Sequence, residues 1–565
     1  MRSHWSKCIL TATAIAAVLT PSIAAGALAD DPEAAAYGSY LSARLAASEH
    51  DMANAAKLYR DSLDSDPDNS DLLGRAFLYT AAAGDVDGAV SLARRVVAGE
   101  TDNRAARLAL AVVALKRGNF SEARKEINQS GKGPFTALTL SLLDGWSALG
   151  AGDADAALND LKDLTSEGGT AALVAYHKAL MLDLAGRATD ADTAYQEALA
   201  QAPSSPRMVE AYGRYLERSG RTDEARAFYG KYARDTGVQP VVEAGLARLA
   251  AGNKPERLIP RAQDGAAESL FGIAASLTDE TSADVAILYL RLALYLSPDF
   301  DLAKIVLADR FEALKKFDDA IAVYRSIDND SPYHFAAAVQ VAVDETRLDQ
   351  DDKAIADLAA LTRERPDELT AWTALGDAYR DAQRYGEAAE AYDHAVKLLN
   401  PVTSKDWPLY YARGVSEERA HRWNEAEQDL QQALKLSPDQ PQVLNYLGYS
   451  WVDQGRNYPA ALAMLEKARA LSPYDGYIVD SVGWAYFRIG RYQDAAKTLE
   501  DAVLLVPGDP TINEHLGDAY WMVGRKLDAH FQWSHALAFG AEDKQKSEIE
   551  KKLQSGLNAA QRKGV

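Results

Sequence analysis

Few residues in this 565-residue chain have the types and spacing that catalysis needs. His515, His530 and His535 do not share one helical face at metal-ligand spacing, and no H-E-x-x-H, Gly-rich phosphate loop or nucleophile elbow occurs. Acid pairs are abundant, but their common use is on solvated helix faces. The one cysteine, Cys8, lies near the start of the chain, so the remainder has neither thiol nucleophile nor disulfide. No catalytic residue, metal site or cofactor is expected, and the chain reads as a non-enzyme. What stands out instead is aromatic: seven of the nine tryptophans lie from Trp372 onward. Aromatics serve equally as core and as contact surface, so the elements that carry them decide their role.

Those elements are clearest in residues 369–401, LTAWTALGDAYRDAQRYGEAAEAYDHAVKLLNP. Trp372, Leu375, Gly376 and Tyr379 recur at helical spacing, as do Ala388, Tyr392 and Ala395 after a short break. The spacing predicts two amphipathic helices joined by a tight turn. Small residues at Gly376 and Ala388 let the two backbones approach, while the aromatics fill the flanks. Such a hairpin leaves an apolar face uncovered and needs copies of itself on both sides.

Copies recur with a period of about 34 residues. Starts fall near 36, 70, 104, 138, 172 and 206. The small residue late in the first helix is Ala43, Ala111, Gly145, Ala179 and Gly213, with Phe77 the exception. A turn glycine follows at Gly84, Gly118, Gly152, Gly186 and Gly220. A small residue opens the second helix at Ala55, Ala89, Ala123, Ala157, Ala191 and Ala225. The phase breaks at GNKPERLIPRAQDGA, where Pro255 and Pro260 oppose helix. Repeats are expected to resume near 267, 301, 335 and 369, then near 407, 441, 476 and 510. The sequence after 541 carries Ile549, Leu553 and Leu557 on one stripe among charges, as a polar-faced cap should.

This pattern resembles the tetratricopeptide-repeat family over nearly the whole chain. The resemblance implies an all-α superhelical solenoid of about 13–14 helix-turn-helix repeats with a C-terminal capping helix. The expected organisation is a signal peptide at 1–29, an N-terminal array at 30–252, and an irregular linker or hinge at 253–266. A C-terminal array at 267–540 follows, then a capping helix and tail at 541–565.

In this family the first helix of each repeat lines the concave surface. Carried over position by position, the resemblance implies a partner-binding groove at Tyr411, Asn445, Tyr449, Tyr477, Asp480, Trp484, Arg488, Asp518 and Trp521. Stacking faces beside paired charges have the composition of a recognition surface. Trp372, Trp423, Trp451 and Trp533 fall on packing positions. Early groove positions such as Leu108, Val112 and Leu115 are apolar and are expected to be covered, which places binding in the C-terminal third. The Lys and Asn clamp that some family members use for chain-terminal carboxylates is missing: Thr373, Asp377, Tyr411, Val415, Asn445 and Tyr449 stand there.

The first 29 residues carry a basic start (Arg2, Lys7), a short apolar run and Ala27-Leu28-Ala29, the pattern of a secretory signal cut after Ala29. Cys8 lies before the apolar run, not at a cleavage point, so no lipid anchor is evident. The chain is expected in a bacterial periplasm. A formal net charge of −21 opposes nucleic acid as a partner. The runs LNYLGYSWVDQGRN, DGYIVDSVGWAYFRIGRY and NEHLGDAYWMVGR are similar to bacterial exported members of the family, among them an adaptor of a periplasmic carboxy-terminal processing protease. That likeness implies a protein-binding adaptor or scaffold whose partners are such a protease and its substrates. A structural part in an envelope assembly or polysaccharide-export machine is the alternative.

Overall fold

A computed structural model describes residues 32–162, 164, 169–236 and 239–557. The expected signal segment, its cut after Ala29 and the tail beyond Leu557 lie outside the described residues. Among the described residues the regular structure is helical throughout, with 30 α-helices and no strand. The chain forms two compact units, Met1–Ala338 and Val339–Val565.

The second unit shows why the repeats fold as they do. Helices Leu369–Asp381 and Tyr385–Leu398 pack as an antiparallel pair. A Cβ on Gly376 would come within 2.5 Å of the Tyr392 ring, so only glycine permits this approach. Tyr392 is fully buried, and its hydroxyl donates to Asp377 at 2.7 Å. Between the helices Gln383 takes φ 60°, the left-handed turn that Gly84, Gly118 and Gly490 hold elsewhere. Each helix of this unit packs on neighbours one or two steps along the chain. Helix Asp543–Ser555 closes the stack, with Ile549 and Leu557 buried beside Trp533 and Leu516.

The first unit begins the same way, with helix pairs from Pro32–Ser48 to Thr222–Thr236, followed by Pro240–Ala251. Residues 253–261 are irregular, and the chain then turns back on itself. Helices Ala262–Ser276 and Ala283–Leu296 form a hairpin that does not stack as the next repeat. Ala262–Ser276 packs against the first helices Pro134–Gly150 and Gly169–Leu184, and Ala283–Leu296 against Ser70–Ala82 and Arg104–Lys116. The hairpin therefore lies along the concave face of the preceding repeats. This corrects the expected resumption of stacked repeats near 267.

The physical reason is in the hairpin's own residues. Gly265, Ala266, Ala267, Leu270, Ala286, Ile287, Leu290, Leu292 and Ala293 are all buried, so these helices have apolar flanks on most sides. A helix of that kind must be covered all round. Gly265 lies flat on Trp146, where a Cβ would come within 2.4 Å of the indole. The Trp146 Nε1–H donates to His177 Nδ1 at 3.1 Å, and burial drives the His177 pKa down to about 3, keeping the ring neutral. Polar anchors fix the register. Arg207 donates to both oxygens of buried Glu268, Tyr295 donates to Asp87 at 2.7 Å, and His50 meets Asp284 at 2.8 Å. Leu108, Val112 and Leu115 are accordingly buried.

Glu268 is 2% exposed in its side chain, so its loss leaves the Arg207 charge without its principal partner in a dry setting. Glu268→Ala is expected to lower the stability of the first unit by about 3–5 kcal/mol, whereas the apolar double replacement Arg207→Met/Glu268→Leu costs far less. Urea unfolding of the three proteins checks this; equal losses in single and double variants would contradict it.

Candidate functional site

With the first unit's concave face filled by its own hairpin, the groove to consider is that of the second unit. Its late first helices are Trp407–Arg419, Pro441–Asp453, Gly476–Arg488 and Pro510–Met522. Asp475 and Asp509 cap the last two by accepting from the amides at their starts. Pro441 and Pro510 stand in the first turns, where no amide donor is missed. These starts set the rotation of each helix, and so decide which side chains face the groove.

The nine residues expected on the groove separate into three groups. Tyr411, Tyr449 and Tyr477 are half-buried. Tyr411 meets Tyr446 edge-on with centroids 5.9 Å apart, and Tyr477 packs at the edge of the Val479, Ala502 and Ile512 cluster. Burial, with Asp453 and Asp480 nearby, raises the Tyr449 hydroxyl well above its ordinary pKa. Asn445 lies one turn before Tyr449 and is buried, its Oδ1 without a hydrogen-bond partner among the described residues.

The second group is a single cluster. Trp484 stacks on His515 (4.1 Å, 12°) and on Phe487 (4.9 Å, 6°), and the His515 Nδ1 lies 2.9 Å from Asp480. Arg488 donates to the Asp453 carbonyl at 3.3 Å, and its guanidinium lies 6.0 Å from the Trp484 ring centre. Asp480 is 2% exposed and is spent on His515, inside the stack and not on its face.

The third group is closed by the capping helix. The Lys552 ammonium reaches Glu514 at 2.6 Å and Asp518 at 2.7 Å, and Asp518 also accepts from Trp533 Nε1. Gly556 presses on Trp521, where a Cβ would sit 1.9 Å from the ring. Burial holds the Asp518 carboxyl above its usual range even with Lys552 beside it. Asp518 is therefore internal, and Trp521 is half-covered. Trp533 and Trp451 are core, as their positions imply. Sequence reasoning did not single out His515 or Lys552 as part of this surface. Their partners lie 35 and 34 residues away, so no pattern within one helix marks them.

What remains available is a band of half-buried aromatics, Tyr411, Tyr449, Tyr477 and the edge of Trp484, bordered by exposed Asp453. That arrangement can stack on and hydrogen-bond to a polypeptide. Among the described residues no group of three or more His, Cys, Asp or Glu is set to hold a metal.

Models described as tetratricopeptide repeat match residues 80–132 and residues 142–206, 185–239, 348–401, 411–476 and 483–533. A TPR repeat-containing protein of Pseudomonas aeruginosa is 34% identical over 93 residues, 16% of this chain and 16% of that protein. The cytochrome c-type biogenesis protein CycH of Rhizobium meliloti is 32% identical over 110 residues, 20% of this chain and 28% of that protein. The matched stretches thus span well under a third of either relative. Among solved structures, a tetratricopeptide repeat protein from Parabacteroides merdae covers 46% of this chain and 99% of its own at 14% identity, TM-score 0.37. A chain of the APC/C hetero-tetramer Cut9–Hcn1 covers 87% and 96% at 16% identity, TM-score 0.38.

The His515 cluster carries a pH signature. Burial alone would lower the imidazole pKa, but the Asp480 carboxylate against it, with Glu514 and Asp518 nearby, outweighs burial and raises it above 6.5. A folded-state pKa above the unfolded one stabilises fully below the unfolded value and is lost as pH rises through the folded value. The stability gap between wild type and His515→Gln is therefore expected to be largest below about pH 6.5 and to narrow as pH rises above it. Thermal melts across that range check it; a constant or widening gap would contradict the assignment.

Proposed function

The chain belongs to the tetratricopeptide-repeat proteins, and from that premise we propose that it is a non-catalytic protein-binding scaffold exported to the bacterial periplasm. It holds a partner enzyme, its substrates, or both on the groove of the second unit. The partner class that the sequence likeness favours is a carboxy-terminal processing protease. Proteins of this family mediate protein–protein contacts through such solenoids, and fold alone does not name the partner.

The observation that carries the reading is the contrast between the two units. In the first, the concave face is occupied by the chain's own hairpin Ala262–Leu296. In the second, no inserted element covers the first helices among the described residues, and aromatic side chains stay half-exposed along them. Half-buried tyrosines and tryptophan are the side chains that most often anchor a protein partner.

A second reading has one specific support, the local likeness to the cytochrome c-type biogenesis protein. On that reading the chain is a component of an envelope assembly machine, and its groove docks a fellow component in place of a protease substrate.

Cross-linked capture of the exported protein from its native envelope separates the two. Wild type is compared with Tyr411→Ala/Tyr477→Ala, shown to be folded by circular dichroism. Loss of two interface anchors is expected to weaken capture at least about tenfold. A processing protease captured by wild type and lost in the variant supports the adaptor reading. Assembly components captured and lost support the second. Capture that survives the double substitution places the contact elsewhere.

A further inference from the structure

Several buried cations in this acidic chain sit on carboxylates. Arg207 meets Glu268 at 2.8 Å, Arg218 meets Asp183 at 2.5 Å, Arg248 meets Glu217 at 2.9 Å and Lys304 meets Asp301 at 3.2 Å. Arg291 of the inserted hairpin, like Arg310, has no such partner. Its Nε is buried without a hydrogen-bond partner, and no ion pair joins it to a carboxylate among the described residues. Its neighbours include the Phe311 ring, 5.6 Å from the guanidinium carbon, and the backbone at Gly84. Asp319 offsets part of the burial that disfavours the cation, but from beyond ion-pair distance. A guanidinium remains charged at neutral pH in any such setting, so the hairpin holds a half-buried cation without an ion-pair partner.

That cation borders a cavity of about 390 Å³ lined by Gly84, Lys116, Arg291, Leu294, Tyr295 and Pro298. Lys116 adds a second positive charge at its edge. One of its donors is used on the Leu296 carbonyl at 3.1 Å, and its ammonium lies 5.7 Å from the Tyr295 ring centre. The rest of the wall is apolar. Gly84 forms part of the wall at φ +99°, a backbone conformation that favours glycine. The cavity's size lies at the small end of ligand pockets.

We propose that this cavity binds a carboxylate carried on an apolar group, with Arg291 as the principal anchor and Lys116 as a secondary charge. A planar fork of guanidinium donors matches a carboxylate. The Leu294, Tyr295 and Pro298 wall suits an attached hydrocarbon, and a dianion such as phosphate would find too few donors there. Asp87, which accepts from the Tyr295 hydroxyl, adds negative charge nearby and further disfavours a dianion. A free organic acid and the terminal carboxylate of a polypeptide share this chemistry. The site lies wholly within the first unit and does not depend on the groove of the second.

The test uses the full exported chain and follows thermal melting and calorimetric titration. The probes are 4-methylpentanoate, its amide, inorganic phosphate, and a Gly-Gly-Leu peptide with free or amidated terminus. A ligand that binds only the folded state raises the melting temperature with concentration. The acid is expected to do so; the amide and phosphate are not. Arg291→Met is expected to abolish the shift without lowering the ligand-free melting temperature, and Arg291→Lys to weaken binding about tenfold by losing the fork. If Arg291→Met does not fold, Arg291→Lys carries the test. Binding of the free-terminus peptide identifies a chain end as a source; binding of 4-methylpentanoate alone identifies a small organic acid. Equal binding of acid and amide, binding of phosphate as tight as the acid, an unaltered shift in the folded Arg291 variants, or no response of wild type up to about 10 mM acid overturns the proposal.

Discussion

A pair of short helices has more apolar surface than it can cover with itself, and every feature of this chain follows from where the uncovered surface goes. Within the repeats it goes to the next pair. Glycine or alanine at the crossing points lets backbones meet, and a large aromatic fills the space beside them. Gly376 under Tyr392 and Gly517 under Trp533 are two instances of one solution. Coverage by nearest neighbours works only in the interior of a stack, so the ends and the concave face need something else. The second unit's end is covered by Asp543–Ser555, and the first unit's concave face by the hairpin beginning at Ala262.

Much of this was legible in the residues. The period, the small positions, the turn glycines and the terminal stripe of Ile549, Leu553 and Leu557 all rest on interactions within about one repeat, which sequence spacing records directly. The inserted hairpin was not legible, because Ala286 and its neighbours satisfy the repeat pattern as well as any stacked helix does. What distinguishes it is apolarity on nearly every side, a property of the environment a helix requires and not of its period. The pattern could show two helices; it could not show that they leave the stack.

The candidate groove divides along the same line. Position within the first helix is the basis on which residues are expected to lean toward the concave side. It does not tell how far the next helix reaches. Asp480 and Asp518 lean that way and are met by His515 and Lys552, whose contacts cross a whole repeat. Tyr411, Tyr449 and Tyr477 stay half-exposed, Tyr446 of the next first helix meeting Tyr411 only edge-on. Exposure in a solenoid groove is thus set by the neighbour's side chain as much as by the residue's own place.

Electrostatics then explains why the two units differ in what they can offer a ligand. In a chain this acidic, carboxylates are available to almost any buried cation, and the interior uses them freely as pins: Glu268 for the hairpin, Asp480 and Asp518 for the terminal stack. A groove whose charges are all matched internally presents mainly aromatic faces, which favours a polypeptide held by stacking and backbone hydrogen bonds over a ligand selected by charge. Arg291 has no such pin and borders a cavity. An unmatched guanidinium costs stability unless something outside the chain completes it, and the apolar wall beside it defines what that something must look like.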